Sequence, residues 1–554
     1  MKIVGLLSGH DCSYCVLENG IPIVHNELER FIREKEPPGD ALEFFFKHND
    51  IKDIDYFISG DFQSDRSNWK VPENSKNYSD AISMIGDDSK FYQIGHHQSH
   101  AANAFYSSNF DEALIITIDG GGGAFVYDEG DIKKPDNFDF TSFTVWRGEG
   151  NKIYPLQIIS HEAINIGSMW RRVTVEVFGL SGGHPYGNQA GTVMAMATNG
   201  NREEYSDVFY GALRNIIQED KYWDSKPKLR EKLKYITSIM SSEEKKFKSE
   251  QESFDIAAGL QDATERLVKE ILTELLKEFD YKNICLSGGV ALNCVMTTKI
   301  YDWFDSVENV FIDPVPYDGG LSIGSARYLW HHILDNPRIE WKDNASSYLG
   351  KSYDKNEILT ELEKHNGKIT FKEVDDNDVL DLIGNQKIIS VFGGGSESGR
   401  RALGNRSILC DPRGSDMKDI INEKVKHRQW FRPFAPSILR EDVSDWFEKD
   451  LDSPYMSFAV KFKKEVADKV PAVVHFDDTG RLQTVTENDN KWYYNLIKKF
   501  KEKTDVPILL NTSFNDREPI VENPEHAINC FLGTNIDYLY FYEFGILVSR
   551  KRSI

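Results

Sequence analysis

Leu114-Ile115-Ile116-Thr117-Ile118-Asp119-Gly120-Gly121-Gly122-Gly123 is an apolar strand that runs into an acidic residue and a glycine bend. A second strand, Ala124 to Tyr127, and a turn, Asp128-Glu129-Gly130, follow it. The same plan occurs about 110 residues earlier: Val4-Gly5-Leu6-Leu7, the polar bend Ser8-Gly9-His10-Asp11, strand Ser13 to Leu17, then Glu18-Asn19-Gly20. Paired hairpins with polar, glycine-bearing bends open the two halves of duplicated actin- and hexokinase-like ATPases. There the bends bring backbone N–H groups against phosphates.

Outward from the hairpins, Ile256, Leu260, Ala263, Leu267 and Ile271 recur at helical spacing and predict an amphipathic helix. Strand Ile284-Cys285-Leu286 follows, ending in Ser287-Gly288-Gly289. Strands alternating with helices indicate a mixed α/β fold. A polar stretch from Asn336 to Tyr353 reads as a linker, and Lys387-Ile388-Ile389-Ser390-Val391-Phe392 opens a second domain. The expected domains are therefore 1–344 and 345–554. Glu243 to Glu252 reads as a solvated helix face.

With 66 basic against 88 acidic residues the chain carries a formal charge of -22. Such acidity disfavours nonspecific coating of nucleic acid or anionic membrane. No apolar run nears the roughly 18 residues of a membrane span, and Met1-Lys2-Ile3-Val4 enters a strand without a secretory pattern. A cytoplasmic protein is expected. Cys12 and Cys15, without a second such pair, read as small hydrophobes in a hairpin.

In His96-His97-Gln98-Ser99-His100, a helix would put His96 and His100 on one face and His97 about 100° away. Asp119 at its strand end and Asp318, in Pro316-Tyr317-Asp318-Gly319-Gly320, are the expected partners. That donor set suits Fe(II), Mn(II) or Zn(II). A second cluster runs from Glu397 through Arg400, Arg401, Asn405 and Arg406 to Arg413, with Lys424, Lys426, Arg428 and Arg432 downstream. Arginines interleaved with Gly, Pro and Phe suit a pocket for a phosphate-bearing ligand. Asn511-Thr512-Ser513-Phe514-Asn515 ends the apolar strand Val506 to Leu510, where α/β sheets bind ligands.

These segments together resemble the nodulation and antibiotic O-carbamoyltransferase family, which includes tobramycin and cephalosporin carbamoyltransferases. The carriers are Gly9-His10-Asp11, Glu27-Leu28-Glu29-Arg30, the histidine run, Ile118-Asp119-Gly120, Gly288-Gly289-Val290-Ala291-Leu292-Asn293, Arg401-Ala402-Leu403-Gly404-Asn405-Arg406-Ser407, Phe431-Arg432-Pro433-Phe434-Ala435-Pro436, Gly480-Arg481-Leu482-Gln483-Thr484-Val485 and Asn511 to Asn515. The resemblance implies an actin-like N-terminal domain, like the tRNA threonylcarbamoyl-transfer ATPase, and a YrdC-like C-terminal domain. It implies ATP with Mg2+, carbamoyl phosphate and Fe(II) or another divalent ion, with a carbamoyl-adenylate intermediate and an alcohol acceptor.

Under that reading His96, His100, Asp119 and Asp318 hold the metal, and His10 is the candidate general base. Arg401 and Arg406 act on the reacting phosphate. Gly120, Gly121, Gly288, Gly289, Asn293, Asn405, Arg432, Arg481, Asn511, Ser513 and Asn515 complete the nucleotide and carbamoyl phosphate contacts. Two departures stand out. Thr198-Asn199-Gly200 replaces the family's Pro-Tyr-Gly, and Arg400 stands where proline is usual. The rival readings are threonylcarbamoyl transfer to tRNA and a non-catalytic nucleotide-binding regulator. The acceptor stays open among small molecules, sugars and hydroxymethylated cytosine in DNA, for which Lys491, Lys498, Lys499, Lys501 and Lys503 offer a basic strip. A homodimer is admissible, a membrane partner is not expected.

Overall fold

The computed structural model describes residues 1–62, 76–124, 139–215, 226–339 and 347–551. The chain divides into two compact units, Met1–Trp341 and Lys342–Ile554. Residues 340–346 of the expected linker, with Lys342, Asp343, Asn344 and Ser346, lie outside the described residues, as do the expected strand beyond Ala124 and the turn Asp128-Glu129-Gly130.

The first unit contains two five-stranded sheets of one plan. In the first, β1 (Lys2–Leu7), β2 (Ser13–Glu18) and β3 (Ile21–Glu27) form an antiparallel meander. β4 (Tyr56–Phe62) and β5 (Phe91–Gly95) extend it in parallel beyond β1, in the order β3-β2-β1-β4-β5. In the second, β6 (Glu112–Ala124), β7 (Asp139–Glu149) and β8 (Lys152–Ser160) form the meander. After a short hairpin, β9 (Gly182–Gly183) and β10 (Gly187–Asn188), the parallel strands β11 (Asn283–Ser287) and β12 (Asn309–Ile312) extend it beyond β6. The duplication read from the two bends is therefore a duplication of whole sheets. Asn19 and Gly20 both take positive φ (49° and 86°) in the β2–β3 turn, as a two-residue hairpin connection requires.

Two helices lie between the sheets. His96–Ser107 leaves the end of β5 yet packs against β6 and β11; Leu321–Tyr328 follows β12 yet packs against β1, β2 and β4. They meet at small residues. A methyl at Gly324 would sit 2.0 Å from the Ser99 carbonyl oxygen, and one at Gly5 would sit 1.9 Å from that of Ser322. Only glycine permits such approaches. Ile3, Leu17, Ile58, Phe105, Ile115, Trp146 and Ala326 close one apolar core drawn from both sheets and both helices.

Between β10 and β11 the described residues are helices and their connections, and they include Glu250–Glu278, the amphipathic helix expected over 256–271. The charged stretch before it is solvated but not helical until Glu250, because Ser249 caps the helix through Glu252 N–H.

The second unit holds a nine-stranded mixed sheet. Its strands are β13 (Ile369–Glu373), β14 (Ile389–Phe392), β15 (Arg406–Cys410), β16 (Ala435–Leu439), β17 (Phe458–Lys461), β18 (Thr479–Val485), β19 (Ile508–Ser513), β20 (Tyr538–Phe541) and β21 (Ile546–Arg550). Their order is β13-β21-β20-β14-β15-β19-β16-β18-β17. All six cysteines are buried and free, Cys12 and Cys15 included. Among the described residues no helix is long and apolar enough to cross a membrane.

Candidate metal centre and anion pocket

The two repeats of the first unit contribute equivalent positions to one cluster. The bend after β1 brings His10 and Asp11 from one sheet, and a break within β6 brings Asp119 from the other. The junction between each last strand and its helix brings His96 and, through a single helical turn, Asp318. Asp119 owes its position to a break in the β6–β7 register between Ile118 and Gly122, which lifts Asp119, Gly120 and Gly121 out of the ladder. A methyl at Gly122 would meet the His96 ring at 2.5 Å, and one at Gly288, whose φ is +89°, would meet the Ile118 carbonyl at 2.2 Å. The Gly120 and Gly288 bends thus close around Asp119. Gly289 N–H donates to Asp119 Oδ1 at 2.7 Å.

Ligand atoms of His96, His100, Asp119 and Asp318 all lie within 4.8 Å of one another, and all four residues are buried. His96 Nε2 stands 3.2 Å from Asp119 Oδ2 and 3.2 Å from His100 Nε2, and Asp318 Oδ1 is 3.4 Å from His100 Nε2. Donors on a tetrahedral ion at about 2.0–2.1 Å are separated by about 3.3 Å, so the set fits a single cation. The surroundings fix which nitrogen faces inward. Ser287 Oγ donates to the Pro316 carbonyl at 3.2 Å, so His100 Nδ1, 3.3 Å from that Oγ, is the donor and Nε2 keeps its lone pair. Burial would raise the Asp119 pKa, but His96, His100 and the Gly289 amide hold it well below the usual range. His97 turns away as expected, to Thr117 Oγ1 and the Thr141 carbonyl. Burial first, then His96 and His100, pushes it down to about 3.

Sequence reasoning missed the support beneath Asp318. Tyr317 donates to the Glu27 carboxylate, while Ser13 Oγ, at 2.9 Å, and His25 Nε2, at 3.0 Å, bond the Gly319 carbonyl. The buried Glu27 of the Glu-Leu-Glu-Arg run is the signal that such a partner exists. His10 stands at the cluster's edge with 53% of its side chain exposed. Its Nδ1 is 3.1 Å from Asp11 Oδ2 and its Nε2 is 3.3 Å from Asp318 Oδ2. Asn293 is not at the cluster's edge in this way. It caps the helix Cys294–Trp303 and exchanges amide bonds with Gln261.

In the second unit the expected ligand residues separate into two groups. Arg406 is fully buried, donates to the carbonyls of Gly393, Gly394 and Asn405, and stacks 3.6 Å from the Phe392 ring centroid. Glu397 Oε1 accepts from the backbone amides of Leu403, Asn405 and Arg406 and so shapes the loop. Asn405 bonds Gly395, Asn490 and Tyr542; Asn511 bonds the Ala402 carbonyl and Gln483. Ser513 and Asn515 surround the ammonium of buried Lys426 with oxygens. These residues build the loop.

The other group is Arg401, Arg432 and Arg481, joined by Arg428. Burial, then Arg432 and Arg481, depress the Arg428 pKa well below its usual range; burial, then Arg401, brings Arg432 to about 10. His475, buried and facing Arg481 and Lys418 against Asp477, is pushed down to about 4. Burial is the larger cause in both; the neighbouring guanidiniums, which stay charged, add repulsion, and Arg428 Nε also donates to Asn422 Oδ1 at 2.7 Å. The lysine strip is a paired face: Lys491, Lys499, Lys501 and Lys503 meet Glu487, Asp376, Asp442 and Asp381.

A duplicated α/β domain holding a buried set of imidazoles and carboxylates fit for a cation, joined to a mixed-sheet unit with crowded guanidiniums, is the class that fold and site define. The sequence matches the family profiles described as Carbamoyltransferase N-terminus over residues 86–327 and Carbamoyltransferase C-terminus over residues 380–547. It is 33% identical to nodulation protein NolO of Bradyrhizobium diazoefficiens, covering 83% of this chain and 79% of that one. It is 26% identical to 3'-hydroxymethylcephem-O-carbamoyltransferase of Amycolatopsis lactamdurans, covering 78% and 76%. The chain belongs to the carbamoyltransferase family. The structure of full-length HypF in its phosphate- and nucleotide-bound form matches with a TM-score of 0.33 at 13% identity over 61% of this chain and 56% of that one, too slight a likeness to argue from.

Proposed function

We propose that the chain is an ATP-dependent O-carbamoyltransferase that takes a carbamoyl group from carbamoyl phosphate, through carbamoyl-adenylate, to an acceptor hydroxyl. Residues 345–554, read as a YrdC-like domain, make the adenylate, and residues 1–344 deliver the group. Nitrogen donation makes a carbamoyl carbon a poor electrophile, and AMP supplies the leaving group it lacks. The convergence of His96, His100, Asp119 and Asp318 carries this reading.

Those four residues would hold the divalent ion, Fe(II) by family resemblance, and when bound it supplies Lewis-acid polarisation. Arg401, Arg428, Arg432 and Arg481 bind phosphate oxygens and stabilise charge that develops on them. His10 meets a carboxylate at each ring nitrogen. Asp11 orients the ring through Nδ1, and Nε2, beside Asp318 Oδ2, is the candidate proton acceptor for the alcohol. The pairing of the lysine strip favours a small acceptor over DNA.

The test measures pyrophosphate release from ATP with and without carbamoyl phosphate. It also follows, by mass spectrometry, the gain of one carbamoyl group over a panel of alcohols that includes hydroxymethylated DNA. Pyrophosphate release independent of carbamoyl phosphate refutes the reading.

A further inference from the structure

Asn293 spends its side chain on Gln261, in the helix Glu250–Glu278, and the pair leads back to the metal centre. Asn293 Nδ2 donates to Gln261 Oε1 at 2.8 Å, and Gln261 Nε2 donates to Asn293 Oδ1 at 3.2 Å and to Glu265 Oε1 at 2.8 Å. Gln261, Glu265 and Asn293 are all buried. Between Asn293 and the centre stands one tight turn, Gly289–Leu292. Ala291 N–H donates to the Gly288 carbonyl and Asn293 N–H to that of Val290, both at 3.0 Å. Gly288 N–H donates to the Pro316 carbonyl at 2.7 Å. Gly289, at the head of the turn, gives its N–H to Asp119 Oδ1 at 2.7 Å. That leaves Asp119 Oδ2 facing His96 Nε2 at 3.2 Å.

The bend on the other side of Asp119 returns to the same helix. Ser168 Oγ donates to the Gly120 carbonyl, and a methyl at Gly167 would stand 2.5 Å from Gly120 N and 2.6 Å from the Asp119 carbonyl. Ser168 belongs to the helix Ile166–Arg172, and from it Trp170 Nε1 donates to Thr264 Oγ1 at 2.9 Å. Gln261 and Thr264 are neighbours on one face of the helix Glu250–Glu278, a rise of about 4.5 Å apart. One turn of that helix therefore grips both glycine bends that close around Asp119.

A buried amide pair exchanges bonds to water for bonds to itself, and an apolar pair of the same shape would hold the helices as well. What the amides add is direction. We infer that Gln261 and Ser168 are positioning residues of the metal centre, which fix the Gly289 and Gly120 bends so that Asp119 meets the ion through Oδ2 alone. With Oδ1 held by the Gly289 amide, the carboxylate does not close on the ion through both oxygens. The four residues then supply four donors and not five. This rests on the proposed cation centre and is independent of the group that the centre transfers.

The test loads the full chain with Co2+, whose visible absorption is strong in a four-coordinate site and weak at higher coordination. Titrations of wild type, Gln261→Met, Ser168→Ala, Ser168→Thr and Leu272→Ala give the spectrum and the Kd. Gln261→Met and Ser168→Ala should each lose about half of the band intensity and bind Co2+ about tenfold more weakly, as loss of an orienting bond does. Ser168→Thr keeps the hydroxyl and should match wild type. Leu272→Ala, at a buried position of the same helix, should lower the unfolding midpoint and leave the spectrum unchanged, which separates positioning from a loosened fold. A wild-type spectrum and Kd in Gln261→Met, or in Ser168→Ala where Gln261→Met does not fold, overturns the inference, as does an equal change in Leu272→Ala. A wild-type chain that binds no Co2+ overturns the centre and the inference with it. The expected spectra in a chain that transfers no carbamoyl group support the inference and count against the proposed function.

Discussion

The two polar centres of this chain spend their side chains in opposite ways. In the first unit, His96, His100, Asp119 and Asp318 turn toward one another, so the cluster has a centre of its own. In the second, the long motif around Arg406 turns toward the backbone: Arg406, Asn405 and Asn511 saturate carbonyls of the loop that holds them. Under the proposed function the phosphate contacts there are Arg401, Arg428, Arg432 and Arg481, where burial and then neighbouring guanidiniums depress Arg428 and Arg432. A motif's most specific letters can thus be its scaffolding.

The contrast breaks most easily at the cation cluster. His96→Ala or Asp318→Ala should lower bound metal below one tenth of wild type, read by elemental analysis, and abolish detectable carbamoyl transfer. Retained metal in either variant would dissolve the cluster as a centre. Ser287→Ala, which frees His100 Nδ1, should weaken metal affinity by about 10- to 100-fold, the usual cost of a lost supporting bond.

Next in size is the division of the arginines. Arg432→Ala should raise the KM for carbamoyl phosphate or ATP at least tenfold with little change in the unfolding midpoint. Arg406→Met should do the reverse, costing about 3 kcal/mol by stranding buried carbonyls. Arg406→Met with normal stability and a raised KM would move Arg406 into the pocket. Smaller is Gly5→Ala, at about 1–3 kcal/mol of overpacking against Ser322, measured by denaturant unfolding.

The mildest effect concerns acid. His331 and His332 are held at about 3 and about 4, chiefly by burial, and His332 Nδ1 accepts the Ile153 amide. Both are neutral in the folded chain at a pH where the unfolded chain binds protons. Their contribution is therefore complete above about pH 6.5 and is lost as the pH falls toward 4. His332→Gln should flatten that part of the stability profile, measured by unfolding across the range.

The sequence showed what local periodicity encodes. The bends at His10 and Asp119, the HxxxH face and the helix over 256–271 are set by neighbours a few residues apart. What it hid was set by contacts across the chain. Nothing near Gly5 announces Ser322, and nothing near Tyr317 announces Glu27, because each pair lies hundreds of residues apart and meets only through the sheet order. The loop-building role of Arg406 was hidden for another reason. Arginine beside glycine has the same spelling whether its fork grips a phosphate or its own main chain, and only burial separates the two.

The exchanged helices between the sheets make the repeats of the first unit mutually dependent. Each sheet is roofed by a segment that its own half does not contribute last, so neither half finishes its apolar interior alone. An ancestral duplication of this kind cannot be cut back into two working parts. A chain severed between β5 and β6 should recover order only when both pieces are present together.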